Sequence, residues 1–492
     1  MDKIYDRNSA RNMDRVLMEK GYDETLLMES AAFSFVQEVE RIFPSCSNIA
    51  VIAGKGNNGG DAYAISRLLL KDGYRVSIAS TCLPSTDSAN YNFEFIRRNY
   101  TCTVLDETSM SSFFNNRYDL IIDGIFGTGF HGEPDTLQKT VISMINNYGA
   151  PVWSIDIPSG TEADTGISDH SVKADVTITF QHAKAGHLLG KGRINTGKLI
   201  IKTIADEGLI SDIGCNMYHV DSFRMKDRGP LSNKYDHGKL AVIAGSREMT
   251  GASIMAVRSA FASGTGIITY LGCDYSVKMM QSTVPEAMCR DISDEKDFIA
   301  TDSVLSHVTG YDCVLLGPGL GRNPLTLKLV RDITSLDIRK IIDADALYHI
   351  TLLDDPKYGK NTVITPHTGE FSRLTGLSRQ EIENDPVDTA RDYAKKHGIT
   401  VLLKGHTTVV TDGTDVYLIT AGTPGMAKAG SGDVLSGVTA SLLAQGYDIS
   451  ESAYGAAYLC GRSAELAETE KGVNSITPSD TILYLSKAIR ED

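Results

Sequence analysis

The chain has 492 residues, which is too long for one ordinary hydrophobic core, so we expect two or three domains. A net charge of −14 excludes the basic excess that general nucleic-acid binding requires, and no segment approaches the length of a membrane span. The charged N-terminus does not resemble a signal peptide, and the eight cysteines include no Cys-x-x-Cys pair, which together predict free thiols in a cytoplasmic protein.

Short apolar runs alternate with glycine-rich turns and helical stretches in both halves of the chain. This alternation predicts an α/β protein with parallel sheets covered by helices. The pattern starts again after a polar segment broken by Gly229-Pro230, and we predict one domain over 1–218 and a second over 219–492. In chain order the predicted strands are Ile49–Ala53, Leu120–Asp123, Val152–Asp156, Val176–Phe180, Lys239–Gly245, Cys313–Leu316, Lys340–Asp343, Thr362–Thr365 and Thr400–Lys404.

Three polar loops follow predicted strands of the first domain. In the first loop, Asn57 and Asn58 stand among four glycines, which let the backbone approach a ligand closely. The other two loops begin at Asp123 and Asp156. Because ligands bind at the carboxyl ends of parallel strands, the three loops are predicted to converge on one crevice. Taken alone, the glycine-rich loop is weak evidence of a site, Asp123 could be a helix cap, and Ser159-Gly160 could be a simple turn.

The motifs Gly-Asn-Asn-Gly-Gly-Asp, Asp-Gly-Ile-Phe-Gly-Thr-Gly and Asp-Ile-Pro-Ser-Gly, in this order, resemble those of the NAD(P)HX epimerase family, with its Rossmann-like, three-layer fold. Leu27–Ala32 is similar too, although Ser30 and Ala32 stand where Asn and Gly are commoner. The resemblance implies a potassium ion on the oxygen donors of Asn58, Asp123 and Ser159. It also implies substrate contacts at Asn57, Asn58, Gly59, Gly60, Asp61, Gly127, Thr128, Gly129, Phe130, His131, Gly132, Glu133 and Asp156.

An acid or base is required in the first domain if it changes the configuration at a hydrated ring carbon. Such a change is possible only if the hydroxyl leaves or the ring opens, and both routes move protons. Asp156 is the candidate for this role, and Lys184, which follows the strand Val176–Phe180, is a candidate supporting group.

In the second domain, the stretch Gly422–Gly437 places Asp433 among glycines at the start of a predicted helix. Backbone N–H groups and the helix dipole form an anion cradle at such a position. Bound phosphate would repel a carboxylate there, so we predict a chemical role for Asp433, as a catalytic base or a metal ligand. A tight loop whose aspartate only caps the helix is the alternative.

Further motifs follow strands of the second domain, at Leu316–Gly321, Asp343–Asp345, Thr365–Glu370 and Lys404–Thr408. They resemble the ribokinase-like NAD(P)HX dehydratase family, which uses ADP or ATP to remove water from a hydrated nicotinamide. Thr423 and Lys428 stand where Asn and Thr are commoner, which leaves the nucleotide preference open. The resemblance implies hydrate contacts at Ala252, Gly319, His367 and Asp433, and nucleotide contacts at Lys404, Gly405, His406, Thr407, Thr408 and Gly432.

Both domains in one chain are similar to the bifunctional NAD(P)H-hydrate repair family. The resemblance implies epimerisation of the R and S forms of NADHX and NADPHX, followed by dehydration of the S form to NADH or NADPH. In the second step Asp433 would act as base while glycine N–H groups and Mg²⁺ stabilise a transferring phosphoryl group. We expect a homo-oligomer that binds neither nucleic acid nor membranes.

Two other functions fit parts of this pattern. A ribokinase-like small-molecule kinase would use the same Gly-Ser-Gly-Asp base, because phosphoryl transfer requires it equally. The first domain could also be a nucleotide-binding or scaffold module without catalytic activity, although Asn58, Asp123, Asp156 and Ser159 argue against this.

Overall fold

The computed structural model of this chain describes residues 1–211, 213–293 and 301–491. Contacts between residues divide the chain into two units, Lys3–Cys215 and Asn216–Asp492, with Met1–Asp2 grouped in the second. This division falls close to the predicted boundary between residues 218 and 219. None of the helices among the described residues is both long enough and apolar enough to cross a membrane.

The first unit is built on a parallel sheet. Its strands are β1 (Asp2–Tyr5), β2 (Asn48–Ala53), β3 (Arg75–Ser80), β4 (Cys102–Val104), β5 (Leu120–Gly124), β6 (Val152–Ile155), β7 (Val176–Phe180), β8 (Ala183–Lys184) and β9 (Lys198–Lys202). Its helices are α1 (Arg7–Glu19), α2 (Glu24–Ile42), α3 (Asn57–Lys71), α4 (Asp87–Asn99), α5 (Glu107–Phe114), α6 (Thr136–Asn146) and α7 (Gly190–Asn195). Seven strands pair in the order β4-β3-β2-β5-β6-β7-β9, and β1 pairs separately with β8.

Both faces of this sheet are covered, as its apolar strands require. Successive side chains of β2 point to opposite faces: Val51 packs in one core with Phe35 of α2, and Ile52 packs in another with Val141 of α6. Strand β2 is therefore buried on both sides. The result is the predicted Rossmann-like arrangement of helix, sheet and helix layers.

The second unit contains a larger, mixed sheet. Its strands are β10 (Met217–His219), β11 (Lys239–Ile243), β12 (Ile267–Gly272), β13 (Met288–Asp291), β14 (Cys313–Leu316), β15 (Lys340–Ile342), β16 (Thr362–Ile364), β17 (Thr400–Leu403), β18 (Thr408–Thr411) and β19 (Val416–Ile419). Its helices are α8 (Thr250–Ala262), α9 (Asp274–Thr283), α10 (Thr301–Val308), α11 (Thr326–Ser335), α12 (Asp345–Ile350), α13 (Thr368–Thr375), α14 (Arg379–Asn384), α15 (Pro386–His397), α16 (Ser431–Ala444), α17 (Ile449–Lys471) and α18 (Pro478–Glu491). The strand order is β13-β12-β11-β14-β15-β16-β17-β18-β19-β10.

This second sheet is not purely parallel, which corrects the expectation from the alternating pattern. From β13 to β17 neighbouring strands are parallel, but β18 runs antiparallel to both β17 and β19. The reason is the short connection between β17 and β18, since a parallel crossover needs a dozen or more residues. The predicted strands are otherwise present, and Asp156, Asp343 and Lys404 each stand immediately after a strand end.

Helix α16 is held against α8 by a close backbone approach. A Cβ at Gly437 would lie 2.2 Å from the carbonyl oxygen of Ala256, so only glycine fits at this crossing. Most of α16 is buried, including Val434 and Val438. The packing fixes the first turn of α16, which carries Asp433, near the first turn of α8, which carries Ala252.

Two candidate active sites

A cavity of about 730 Å³ opens at the carboxyl ends of β2, β5 and β6 in the first unit. It is the crevice that the three polar loops predict. Ten of the predicted substrate contacts line it: Asn57, Asn58, Asp61, Gly127, Thr128, Gly129, Phe130, His131, Glu133 and Asp156. Gly59, Gly60 and Gly132 are not among the lining residues.

Gly59 and Gly60 instead let α3 pack closely on the elements beside it. A Cβ at Gly59 would lie 2.0 Å from the carbonyl oxygen of Gly54, and a Cβ at Gly60 would lie 2.5 Å from Met28 Cε. Because α3 begins at Asn57, the glycine-rich motif forms the first turn of the helix and not a separate loop before it. Its early N–H groups are thereby placed at the edge of the cavity.

Asp156 and Lys184 form a buried ion pair in the cavity wall. Lys184 Nζ donates to Asp156 Oδ1 at 2.6 Å, and the Thr179 hydroxyl donates to the same oxygen at 2.8 Å. No described residue donates a hydrogen bond to Asp156 Oδ2. The carboxylate therefore keeps one oxygen for a ligand while the other is fixed by the protein.

The backbone of Asp156 adopts a left-handed conformation, with φ of 62°, which is uncommon outside glycine. His187 secures it. The Lys184 backbone N–H donates to His187 Nδ1 at 3.0 Å, so the ring can donate from Nε2 to the Asp156 carbonyl oxygen, 2.8 Å away. Burial, with help from the Lys184 charge, lowers the pKa of His187 to about 4, which keeps this ring neutral.

The other carboxyl groups of the cavity behave differently from Asp156. Burial raises the pKa of Asp156, but the Lys184 ammonium outweighs it, so the net shift is downward. Burial and then the Asp156 charge raise the pKa of Asp61 well above its usual range. Burial also raises the pKa of Asp14 to about 6, against the effect of Lys184. Neither Asp14 nor Asp61 accepts a side-chain hydrogen bond from a described residue.

Asp14 is a cavity residue that sequence reasoning missed. It lies on α1, in a helix whose apolar side packs on the unit and whose sequence carries no motif. An acidic residue in an amphipathic helix predicts only a solvated face. The available signal was the resemblance of the opening helices to the epimerase family, which did not single out this position.

The three predicted potassium ligands lie together, with Asn58 in the cavity wall and Asp123 and Ser159 outside the lining. Asp123 is fully buried and accepts hydrogen bonds from the Ser154 and Ser159 hydroxyls at 2.8 and 2.5 Å and from the Ser159 N–H at 2.9 Å. Asn58 Nδ2 and the Ser159 hydroxyl both reach the Phe126 carbonyl oxygen. Asn58 Oδ1 is buried with no hydrogen-bond partner among the described residues.

This group of oxygen atoms fits a monovalent cation. Burial raises the pKa of Asp123 although its serine partners oppose that shift, because no lysine or arginine among the described residues pairs with the carboxylate. A cation would supply the missing charge, and the orphaned amide oxygen of Asn58 would supply a further ligand. The donor set of Asn58, Asp123 and Ser159 therefore suits potassium.

In the second unit, an acidic cluster surrounds Lys404. Lys404 Nζ lies 3.2 Å from Asp343 Oδ1 and 3.8 Å from Glu370 Oε2. A Cβ at Gly432 would lie 3.4 Å from Lys404 Nζ, which places the first turn of α16 beside this ammonium. The structure thus brings Lys404, Gly432 and Asp433 together, as the predicted site requires.

Asp433 has the electrostatics of a general base near neutral pH. Burial, followed by the negative charge of Asp343, raises its pKa to about 7, and Lys404 partly opposes that shift. A base whose pKa lies near the working pH combines the right protonation state with adequate proton affinity. The capping alternative is not seen, because α16 has no side-chain cap bond and Asp433 lies inside its first turn.

The remaining predicted residues occupy the loops beside this cluster. A Cβ at Gly319 would lie 3.0 Å from Ala252 Cβ, so these two positions are adjacent. His367 caps α13: its Nδ1 accepts from the Gly369 N–H at 2.9 Å, and its side chain keeps 55% exposure. Gly405, His406 and Thr407 form the turn between β17 and β18, and Thr408 begins β18.

Asp343, Asp345 and Glu370 are members of the acidic cluster that the predicted contacts do not include. All three act on the pKa of Asp433. Their motifs, Asp343–Asp345 and Thr365–Glu370, stand at strand ends, and this position is the signal that could have identified them.

The acidic cluster fits Mg²⁺ only as part of a nucleotide complex. Among the described residues no three His, Cys, Asp or Glu side chains are arranged to hold a metal by themselves. Mg²⁺ commonly takes one or two protein carboxylates together with phosphate oxygens and water. Asp343 and Asp433 are the side chains that could serve in this way.

A parallel α/β unit with a cavity lined by carboxyl and ammonium groups, followed by an α/β unit with a partly buried aspartate in the first turn of a helix, is typical of a two-domain enzyme of small-molecule chemistry. The family model for the N-terminus of YjeF-related proteins matches residues 24–186, and the model for NAD(P)H-hydrate dehydratase matches 240–487. The chain belongs to the family of bifunctional NAD(P)H-hydrate repair enzymes.

Relatives support this assignment over the whole length. The bifunctional NAD(P)H-hydrate repair enzyme of Thermofilum pendens is 32% identical, over 99% of this chain and 96% of its own length. That of Escherichia coli is 31% identical, over 99% of this chain and 93% of its own length. A ribokinase-like superfamily protein from Enterococcus faecalis superposes with a TM-score of 0.50 and 25% identity, covering 56% of this chain and 96% of the other.

Proposed function

We propose that this protein repairs hydrated nicotinamide nucleotides in two steps. The domain over 1–218 epimerises the R and S forms of NADHX and NADPHX, and the domain over 219–492 dehydrates the S form to NADH or NADPH at the expense of ADP or ATP. The observation that carries the proposal is the full-length similarity to bifunctional repair enzymes, joined to two separate sites with suitable acid-base groups.

In the first domain the cavity binds the hydrated ring and its ribose phosphates. Asp156, with Oδ2 unoccupied by protein donors, is the acid-base group, and Lys184 keeps it ionised and in place. The early N–H groups of α3 and the loop from Gly127 to Glu133 suit the nucleotide's phosphates. A potassium ion on Asn58, Asp123 and Ser159 would neutralise the buried carboxylate and hold the three loops together.

In the second domain Asp433 removes the proton from the substrate hydroxyl. The resulting oxygen attacks the terminal phosphoryl group of ADP or ATP, and the O–P bond to the remaining nucleotide breaks. The C–O bond of the new phosphate ester then breaks, because phosphate leaves far more readily than hydroxide, and the neighbouring ring carbon releases a proton to water as the ring double bond forms. Lys404 and the N–H groups around Gly432 stabilise the charge on the transferring group.

The nucleotide lies, in this proposal, against Lys404, Gly405, His406, Thr407, Thr408 and Gly432, and the hydrate against Ala252, Gly319, His367 and Asp433. Bound Mg²⁺ would offset the phosphate charge beside Asp343 and Asp433. A cytoplasmic location and assembly as a homo-oligomer complete the proposal.

Incubation of the purified protein with a mixture of R and S NADHX, with ADP or ATP, tests the proposal. Absorbance of regenerated NADH should appear only with nucleotide and should exceed the amount of S hydrate initially present. Inorganic phosphate should form in equal amount to NADH.

Three outcomes distinguish the alternatives. A stable phosphorylated product without NADH would point to a small-molecule kinase. The first domain has no epimerase activity if the NADH formed equals only the S hydrate initially present and the R hydrate is converted no faster than it epimerises spontaneously. Loss of the hydrates without nucleotide would contradict the phosphorylation step.

A further inference from the structure

The epimerase cavity contains an acidic side chain that the proposed function leaves without a role. Asp14 lines the cavity together with Asp156 and Lys184, although it comes from α1 and they come from the ends of β6 and β8. Its carboxyl group has no hydrogen bond or ion pair with a described residue. Lys184, which lines the same cavity, is bound to Asp156 and Thr179.

The reaction requires protons to be handled at two faces of one carbon. Water adds to an enamine with its oxygen on the carbon bonded to nitrogen, so the hydroxyl of the hydrate stands next to the ring nitrogen. On the route in which the hydroxyl leaves, it departs from one face of the ring and water adds to the other. A single carboxylate held by a lysine cannot both protonate the leaving group and accept a proton across the ring.

We propose that Asp14 is a second catalytic residue of the epimerase, the general acid that protonates the departing hydroxyl while Asp156 serves the opposite face. This inference rests on the proposed epimerase function. The C–O bond breaks, the nitrogen lone pair forms a C=N bond, and the Asp14 proton leaves with the hydroxyl as water. Water then adds to the other face, the C=N electrons return to nitrogen, and Asp156 Oδ2 takes the released proton.

The surroundings of Asp14 suit this role. Although Asp14 is exposed to solvent, partial desolvation by the surrounding protein raises its pKa to about 6, with Asp156 and Glu24 adding to the shift and Lys184 opposing it. The group is thus about half protonated near pH 6, about one tenth protonated near pH 7, and a much stronger acid than water. The other charged side chains of the cavity lining are Arg11, Lys55, Asp61, His131, Glu133 and Asp135.

Asp14→Asn tests the proposal, with Glu19→Gln as the matched control because Glu19 also lies on α1 and is exposed, 59%, outside the cavity. Rates of R-to-S conversion are measured from pH 5 to 8 and corrected for spontaneous epimerisation. For the unsubstituted protein kcat/KM should fall as pH rises above about 6, because the acid loses its proton. In Asp14→Asn, kcat should fall by about 100-fold or more while KM changes little. The decrease in kcat/KM above about pH 6 should also disappear.

Several results would overturn the inference. An unsubstituted protein that epimerises with no fall in rate between pH 5 and 8 would contradict it, as would Asp14→Asn with near-normal kcat and the same profile. Asp14→Glu should be slower but should keep the decrease in kcat/KM at higher pH. If the folded Asp14→Glu variant loses this pH dependence, that also contradicts an acid role. Absence of epimerisation in the unsubstituted protein would instead overturn the proposed function itself. Circular dichroism and the fluorescence of Trp153, which lies in the first unit, show whether each variant is folded.

Discussion

Lys404 lies 3.2 Å from Asp343, while Gly432 stands close enough to Lys404 that a Cβ there would lie 3.4 Å from Nζ. The ammonium is therefore shared between a strand-end carboxylate and the first turn of α16. Burial would lower the pKa of Lys404, but Asp343 and Glu370 outweigh it and raise that pKa, so the charge is retained. The cluster thus keeps one fixed positive charge beside the candidate base, Asp433.

Asp433→Asn should abolish dehydration and leave R-to-S epimerisation intact. The change removes the base while nearly preserving the size of the side chain, and loss of a general base typically lowers the rate by about 100-fold or more. Separate assays with R and S hydrate measure the two steps. Near-normal dehydration by the variant would show that Asp433 is not the base.

The pH dependence of dehydration should respond in opposite directions to two substitutions. For the unsubstituted protein kcat/KM should rise with pH and reach half its maximum near pH 7, because Asp433 must be deprotonated and its pKa is about 7. Asp343→Asn removes a negative charge and should shift this limb to lower pH. Lys404→Gln removes a positive charge and should shift it to higher pH.

Both variants should also bind nucleotide differently, which the KM for ADP measures. Lys404→Gln should raise that KM, because the ammonium interacts with the phosphates. If the two substitutions shift the pH profile of dehydration in the same direction, or do not shift it, these two charges do not set the proton affinity of the base.

Asp123→Ala should impair epimerisation and weaken the response to potassium while S-specific dehydration continues. The substitution removes the carboxylate on which Ser154 and Ser159 converge and leaves the orphaned Asn58 oxygen without a cation. Rates of R consumption are measured over a series of potassium concentrations at constant ionic strength. Asp169→Ala, which removes an exposed carboxylate outside the cavity, is the control.

Unchanged R consumption and an unchanged potassium response in Asp123→Ala would refute the cation site. Loss of both activities would indicate misfolding and not local chemistry. Circular dichroism of the variant separates these results.

Gly59→Ala should destabilise the first unit, whereas Gly56→Ala should not. A Cβ at Gly59 would lie 2.0 Å from the carbonyl oxygen of Gly54, and nothing lies within 4 Å of a Cβ at Gly56. Overpacking of this kind typically lowers the free energy of unfolding by about 1–3 kcal/mol. Denaturant unfolding, followed by the fluorescence of Trp153 in this unit, compares the two variants. Equal stability of the two would show that α3 can move away from β2 at little cost.

The sequence predicts most of the fold because the strands are short, buried and separated by helices. The positions of Asp156 and Asp433 are predictable from local sequence, since Asp156 stands directly after strand β6 and Asp433 lies in the glycine-containing first turn of α16. The antiparallel strand β18 is not, because a run of four residues, Thr408–Thr411, does not specify strand direction. Pairing with β17 does so through the short connection between them.

Asp14 shows the other limit of sequence reasoning. Nothing within α1 distinguishes it from a solvated surface residue, and it reaches the cavity only because the helix packs beside the sheet edge. The contact between Asp343 and Lys404 is equally hard to predict, because the two residues are far apart in the sequence. They meet only after β15, β16 and β17 have paired side by side. Such groups follow from tertiary structure and not from a local pattern.

The left-handed backbone of Asp156 bears on how natural variation at this position should be judged. A β-branched residue or glutamate would meet steric resistance at φ of 62° before any catalytic test, whereas glycine and asparagine adopt it readily. Glycine, however, would leave Lys184 buried without its partner, which is itself costly. Conformation and charge therefore restrict which residues this position can accept, in addition to catalysis. Invariance of Asp156 across relatives would not by itself show that the residue is catalytic. Asparagine adopts the left-handed backbone but lacks the charge, so Asp156→Asn separates the conformational requirement from the requirements of charge and catalysis.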